Sequence, residues 1–224
     1  MNALPDLVKV LVDASATSAL KQLATPGGQL LRAYDAFSLW IVPAAQAASL
    51  SDRPGVSLHD DFDSIELRAG AIDTRAAQPD VPADLREVAG QGPQFWMVQF
   101  AGPIKAEWLK QLQEVGLAVV IYMPNNAYVV WGRAPAEKLT LLSAGNPMIQ
   151  WSGAYHPAYR LSPSLREIAA KPDAVKVVDV TVQFYTTAAT PDSLEKLLKI
   201  GGAVYRSPER ILGFTNISLQ VPAE

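Results

Sequence analysis

The chain contains no cysteine among its 224 residues. Disulfide bonds, thiolate nucleophiles and cysteine-based metal sites are therefore excluded. The absence fits a cytosolic protein, and it fits equally a secreted protein that folds without disulfides. The cysteine count alone leaves the compartment open.

A strong charge and a long apolar run are also missing. The net charge of −3 and the isoelectric point near 5.4 give no basic field for nucleic acid or an anionic membrane. No apolar run approaches the roughly 18 residues that cross a bilayer, and residues 1–5 do not resemble a signal peptide. The 49% hydrophobic content is that of a globular protein, long enough for two or three small domains.

Catalytic motifs are absent as well. The sequence holds no Gly-x-Ser-x-Gly turn, no His-Glu-x-x-His helix and no glycine-rich phosphate loop. Residues 59–63 combine an imidazole with three carboxylates, which could hold a hard cation, but an exposed loop is the favoured interpretation. His156 has no nucleophile near it in the sequence and is interpreted as structural. We predict no catalytic residue, no cofactor and no metal site.

Tryptophans form the most conspicuous aromatic set. Four of them fall at strand or helix positions expected to point inward: Trp96, Trp108, Trp131 and Trp151. Core packing is the favoured interpretation, and a ligand cage is the alternative. No strand carries the aromatic pattern of an RNA-binding sheet.

A repeated order of strands and helices is the main positive signal. It is clearest from residue 95 to 151, where a strand leads to a helix that ends at Gly116, then to a hairpin turning at Asn125-Asn126. A second helix opening at Pro135 and a fourth strand complete the copy. This β-α-β-β-α-β order predicts an α+β, ferredoxin-like unit with an antiparallel sheet and both helices on one face.

Two further copies follow the same order. The first has strands at 7–12, 29–33, 37–42 and 56–58, and residues 64–68 alternate as an extra strand would. The third has a strand at 175–185, a helix from Thr190 to Gly201-Gly202, and a returning strand at 211–221. The sequence predicts five segments: unit 1 at 1–70, a linker at 71–93, unit 2 at 94–162, a linker at 163–173, and an incomplete unit 3 at 174–224.

The third copy stops where its second helix would begin. The prolines that open the second helices stand at positions 43, 135 and 222. Without a second helix and a fourth strand, the first strand of unit 3 has no partner on one edge. Open strand edges pair with other chains. The sequence therefore predicts completion of unit 3 by further residues, or self-association through its edge strand.

Residues 95–104, 123–130 and 153–161 resemble the N-terminal pro-regions of secreted bacterial subtilisin-like serine proteases of the fervidolysin type. The resemblance implies a secreted protein whose partner is the catalytic domain of the same precursor. In that family the pro-domain packs its sheet on the protease, assists its folding, and threads an exit segment through the active-site cleft. The resemblance places that exit segment at Tyr155, His156, Pro157, Ala158, Tyr159, Arg160 and Leu161.

Three functional hypotheses follow from these observations. The first is a non-catalytic pro-region that acts as folding assistant and inhibitor of a subtilisin-like protease, since the chain lacks the protease's own motifs. The alternative is a tandem scaffold, spacer or protein-binding module without inhibitory action. A third hypothesis is a small-molecule sensor built from paired ferredoxin-like domains.

Overall fold

The computed structural model describes residues 7–24, 27–75, 81–87, 92–133, 136–171, 177–187, 190–200 and 202–222. Within these residues the chain is an α+β protein with three larger antiparallel sheets and a small two-stranded one. The predicted class is confirmed at that level. No helix of the described residues has the length and apolar character needed to span a bilayer.

Unit 1 is a four-stranded sheet with two helices. Its elements are β1 (Leu7–Asp13), α1 (Thr17–Leu23), β2 (Gln29–Ala33), β3 (Phe37–Pro43), α2 (Ala44–Ala48) and β4 (Val56–Leu58). The sheet order is β2-β3-β1-β4. Alternation along β1 turns Val10 and Val12 to the helix side, where they are buried with Leu23. Pro43, predicted to open α2, ends β3 and caps α2.

Unit 2 repeats this arrangement. Its elements are β7 (Gln94–Phe100), α3 (Ala106–Glu114), β8 (Ala118–Met123), β9 (Ala127–Gly132), α4 (Ala136–Gly145) and β10 (Ile149–Ala154). The sheet order is β10-β7-β9-β8. The predicted turns are confirmed: Gly116 has a φ of 82°, and Asn125 and Asn126 have φ values of 67° and 64°. Two consecutive positive φ values match a type I′ hairpin turn.

Unit 3 is a three-stranded sheet with one helix. Its elements are β11 (Val177–Tyr185), α7 (Thr190–Ile200), β12 (Ala203–Ile211) and β13 (Phe214–Pro222), in the order β11-β13-β12. The predicted returning strand at 211–221 is wrong at its start, because Ile211 ends β12 and the chain turns at Leu212. Strand β12 was not predicted, because it contains Pro208 and Glu209, and both residue types are depleted in strands.

Two connecting segments also carry structure. Between units 1 and 2, β5 (Ser64–Ile65) and β6 (Ile72–Asp73) form a short hairpin, so the extra strand predicted at 64–68 covers only its first two residues. After unit 2 come α5 (Pro157–Arg160) and α6 (Pro163–Ala170). The segment predicted as the second linker therefore contains a helix. Pro135 and residues 175–176, 201 and 223–224 lie outside the described residues.

Units 1 and 2 pack directly against each other. Leu39 of β3 is fully buried in a core that includes Phe100 and Trp108 of unit 2. A side chain at Gly102 would place its Cβ 2.5 Å from Leu39 Cδ2, so glycine permits the close approach. The Tyr34 hydroxyl donates a hydrogen bond of 2.6 Å to the carbonyl of Pro103. Burial raises the pKa of Tyr34 to about 12.

Candidate functional site

Most edge strands of the three larger sheets carry features that discourage pairing with another chain. Strand β4 is only three residues long. Breaks in register interrupt β2 between Leu30 and Arg32, β8 between Val119 and Ile121, and β10 between Ile149 and Trp151. Strand β12 has two such breaks and contains Pro208. Short length, bulges and proline are the usual means of protecting a sheet edge.

Strand β11 has none of these protections. Its nine residues pair with β13 in unbroken register, from Val177 opposite Pro222 to Tyr185 opposite Phe214. It contains no proline, and its one charged residue is Asp179. In the described part of the molecule, its other edge has no strand beside it. A long, regular and nearly uncharged edge of this kind readily accepts another strand.

Comparison with units 1 and 2 shows that the helix side of β11 is open as well. The first strands of those units are paired on both edges. Their inward side chains are buried, with Val10 at 0% and Val98 at 1% exposure. The matching side chains of β11, such as Val180 and Val182, are only half-buried. Unit 3 therefore has room, among its described residues, where units 1 and 2 hold a helix and a strand.

The predicted exit segment is folded against unit 2. Residues 157–160 form the helical turn α5, with His156 as its N-cap residue. Tyr155 and Tyr159 pack on the outer face of the unit 2 sheet, together with Ile65 and Ile72 of the β5–β6 hairpin. Arg160 donates to Glu87 Oε2 at 2.6 Å and to the carbonyl of Tyr155. Ala158 is buried, and Leu161 follows the helical turn in extended conformation.

His156 has a structural hydrogen bond. Its Nδ1 accepts the backbone N–H of Glu87 at 2.9 Å, which places the ring proton on Nε2. Burial lowers the pKa of His156 below its ordinary value of 6.5; Arg86 and Arg160 lower it further, while Glu87 opposes the shift. The neutral ring thus joins the segment before unit 2 to the segment after it.

This geometry makes stability dependent on pH. Because the folded pKa of His156 is depressed, its contribution is complete above pH 6.5 and is lost as the pH falls towards the folded pKa. We expect the urea concentration at the unfolding midpoint to decrease as the pH is lowered from about 7.5 to about 5. His156→Gln keeps an acceptor for Glu87, so the fall should be smaller in this variant. An equal fall in both proteins would contradict the assignment.

The carboxylates near His59 do not converge on one point. His59 Nδ1 lies 3.1 Å from Asp61 Oδ1, and its ring stacks on Phe62 at 4.2 Å between centroids. Asp63 instead forms an ion pair with Lys9. In the described ranges, no three histidine or acidic side chains are grouped in a way that could hold a metal ion.

A buried polar network around Lys9 was not predicted from the sequence. Lys9 is 4% exposed and donates to Asp63, to Gln150 Oε1 and, at 3.3 Å, to the carbonyl of Phe62. Gln150 in turn donates to Gln99 Oε1 at 2.6 Å. Burial lowers the pKa of Lys9, and Asp63 opposes this shift. The network joins unit 1, the connecting segment and unit 2. The sequence feature that could have indicated it is a single lysine, Lys9, within an apolar strand.

The tryptophans differ in burial. Trp108 and Trp151 are buried, as predicted, but Trp96 and Trp131 are only half-buried. Trp131 lies in an aromatic group with Phe95 and Tyr185, at centroid distances of 4.6 and 6.1 Å. This group joins unit 2 to the end of β11.

A small cleft lies between the β5–β6 segment and the helices that follow unit 2. Its volume is about 130 Å³, and Ile72, Tyr159 and Arg166 are among its lining residues. Arg166 closes one side by donating to the carbonyl of Ala69 at 2.6 Å. Pockets for drug-sized ligands measure about 300–1,000 Å³. The cleft therefore gives the small-molecule sensor hypothesis little support.

Comparison with known proteins adds one family. A domain of unknown function (DUF8729) matches residues 66–156, which is fewer than half of the chain's residues. The match includes β6 and the strands and helices of unit 2 from β7 to β10. No curated protein and no solved structure matches the chain.

Proposed function

We propose that this chain is a non-catalytic protein-binding scaffold of tandem ferredoxin-like units, and that unit 3 engages a strand of another polypeptide at β11. The observation that carries the proposal is the unprotected edge of β11. The other edge strands of the three larger sheets are short or bulged. Strand addition of this kind supplies affinity through main-chain hydrogen bonds.

Strand order supports the ferredoxin-like assignment. In units 1 and 2 the fourth strand pairs with the first, the first with the third, and the third with the second. Unit 3 keeps the pairs between its first, third and second strands. A β-α-β-β-α-β chain with this order is the split βαβ arrangement of ferredoxin-like domains. The slot beside β11 is then the slot of a fourth strand.

Packing of the exit segment favours a scaffold over an inhibitory pro-region. Threading a protease cleft requires an extended chain, whereas Pro157–Arg160 is helical and Arg160 is bonded to Glu87. The outer face of the unit 2 sheet is also in contact with Tyr155 and Ile65 of its own chain. The inhibitory pro-region stays a prediction, and slowing of peptide cleavage by a subtilisin on addition of the purified chain would favour it.

Filling the slot in unit 3 tests the proposal. The sequence Pro222-Ala223-Glu224 matches Pro135-Ala136-Glu137, so a copy of residues 138–154 appended after Glu224 continues unit 3 as α4 and β10 continue unit 2. Alternate amides of an edge strand point away from the sheet and exchange freely. We expect the extension to slow hydrogen exchange of those amides in β11.

The control carries the same added residues in shuffled order. It should leave exchange in β11 as fast as in the original chain. Equal exchange rates in all three proteins, measured at a protein concentration low enough to keep them monomeric, would contradict the proposal. Unit 3 would then not accept a helix and a strand beside β11.

A further inference from the structure

We infer that the strand that pairs with β11 belongs to a second copy of this chain, arranged antiparallel about a two-fold axis at Thr181. The inference rests on the proposed function, because it names the partner at the same edge. It would join two three-stranded sheets into one continuous sheet of six strands, with the two β11 strands at its centre. Two-fold pairing of identical surfaces is the commonest way in which soluble proteins form dimers.

The sequence of β11 complements itself in this register. With Thr181 opposite its own copy, Val180 lies opposite Val182, and Val178 lies opposite Phe184. The members of these two pairs, at positions 178, 180, 182 and 184, face the apolar side, because strand residues alternate between the two faces. Cross-strand pairs of apolar side chains stabilise a sheet. The pairing would therefore cover valines that are half-exposed in the single chain.

Charge is matched on the opposite face. In the same register Asp179 lies opposite Gln183, so the carboxylate meets an amide and not the second copy's carboxylate. A register centred on Asp179 itself would place two carboxylates side by side, which is destabilising. A slip of one residue in the pairing would set apolar side chains against polar ones. Centring on Thr181 is the arrangement in which all nine residues of β11 are paired.

The two edges of unit 3 differ in a way that favours this choice. Strand β12, at the opposite edge, contains Arg206, Pro208 and Glu209 and is broken twice in register. It is unsuited to pairing with its own copy. At the last residue of β11, the Tyr185 ring contacts Phe95 and Trp131 of unit 2. Val178, Val180 and Val182, which precede Tyr185 in the strand, remain half-exposed.

A single introduced cysteine tests the register, because the natural chain has none. In Thr181→Cys, every disulfide must join two copies, and the two-fold axis places the sulfurs opposite each other. We expect mild oxidation to convert this variant into a covalent dimer of doubled mass. The matched control is Val204→Cys on β12, where the side chain is 44% exposed. This variant should form no covalent dimer under the same conditions, because β12 lies at the outer edge of the six-stranded sheet.

The unmodified chain provides a second readout that does not depend on a substitution. We expect sedimentation equilibrium to show a monomer–dimer equilibrium, and the extension by residues 138–154 to abolish the dimer by filling the slot. A monomeric natural chain, or equal crosslinking of Thr181→Cys and Val204→Cys, would overturn the second copy as partner. If the second copy were overturned but the extension still slowed hydrogen exchange in β11, the proposed function would be retained. If the extension did not slow exchange, the proposed function and the second copy as partner would both be wrong.

Discussion

Lys9→Met is expected to lower the free energy of unfolding by about 3–5 kcal/mol, the effect of removing one partner from a buried ion pair. Asp63, only 12% exposed, would lose the cation beside it. Gln150 and the carbonyl of Phe62 would each lose a donor. Because Lys9 belongs to unit 1 and Gln150 to unit 2, the variant should also weaken the contact between the two units.

Urea unfolding measures this difference, and Lys110→Met is the matched control. Lys110 also faces a carboxylate, Glu114 at 3.9 Å, but its side chain is 75% exposed. Exposed ion pairs contribute only about 0–1 kcal/mol. Similar losses in the two variants would contradict the structural role assigned to Lys9, because burial is the property that distinguishes the two sites.

Trp108→Ala is expected to destabilise the protein by about 3–5 kcal/mol, as large-to-small changes of buried tryptophan do. The side chain is 3% exposed and stacks on Phe100 with ring centroids 5.5 Å apart. The guanidinium of Arg32, from unit 1, lies 5.7 Å from the Trp108 ring centroid. The substitution therefore removes packing within unit 2 and a contact between the units.

Tyr205→Ala serves as the comparison in the same urea experiment. Tyr205 is aromatic but 53% exposed on β12, and exposed substitutions away from special features usually change stability by less than about 0.5 kcal/mol. An effect of Trp108→Ala no larger than that of Tyr205→Ala would show that the core is not centred where the structure places it.

Units 1 and 2 were predictable because local signals agree with the final packing. The β-branched and aromatic residues concentrated in β1 and β7 indicate strands. Gly116 and Asn125-Asn126 mark turns that need a positive φ. Strand β12 was missed because its residues are exposed throughout. A strand held mainly by hydrogen bonds to β13 leaves no apolar pattern in the sequence.

The candidate site likewise has features that could be predicted from the sequence and features that could not. The open edge of β11 among the described residues could be predicted from the internal repeat, since the third copy could be compared with the first two. The bulges in the other edge strands were not predictable, because a bulge depends on how two strands align. The Lys9 network was equally hidden: Asp63 and Gln150 lie 54 and 141 residues along the chain from Lys9. Contacts of that separation leave no periodic signal.

Hydrogen exchange in β11 of the natural chain, resolved by residue at low protein concentration, tests the central claim most directly. The account predicts alternation, in which amides bonded to β13 are protected and the amides between them exchange rapidly. Raising the protein concentration should slow the rapid set as copies pair. Uniform protection along β11 at every dilution would contradict the account, because the edge would then already be paired within a single chain.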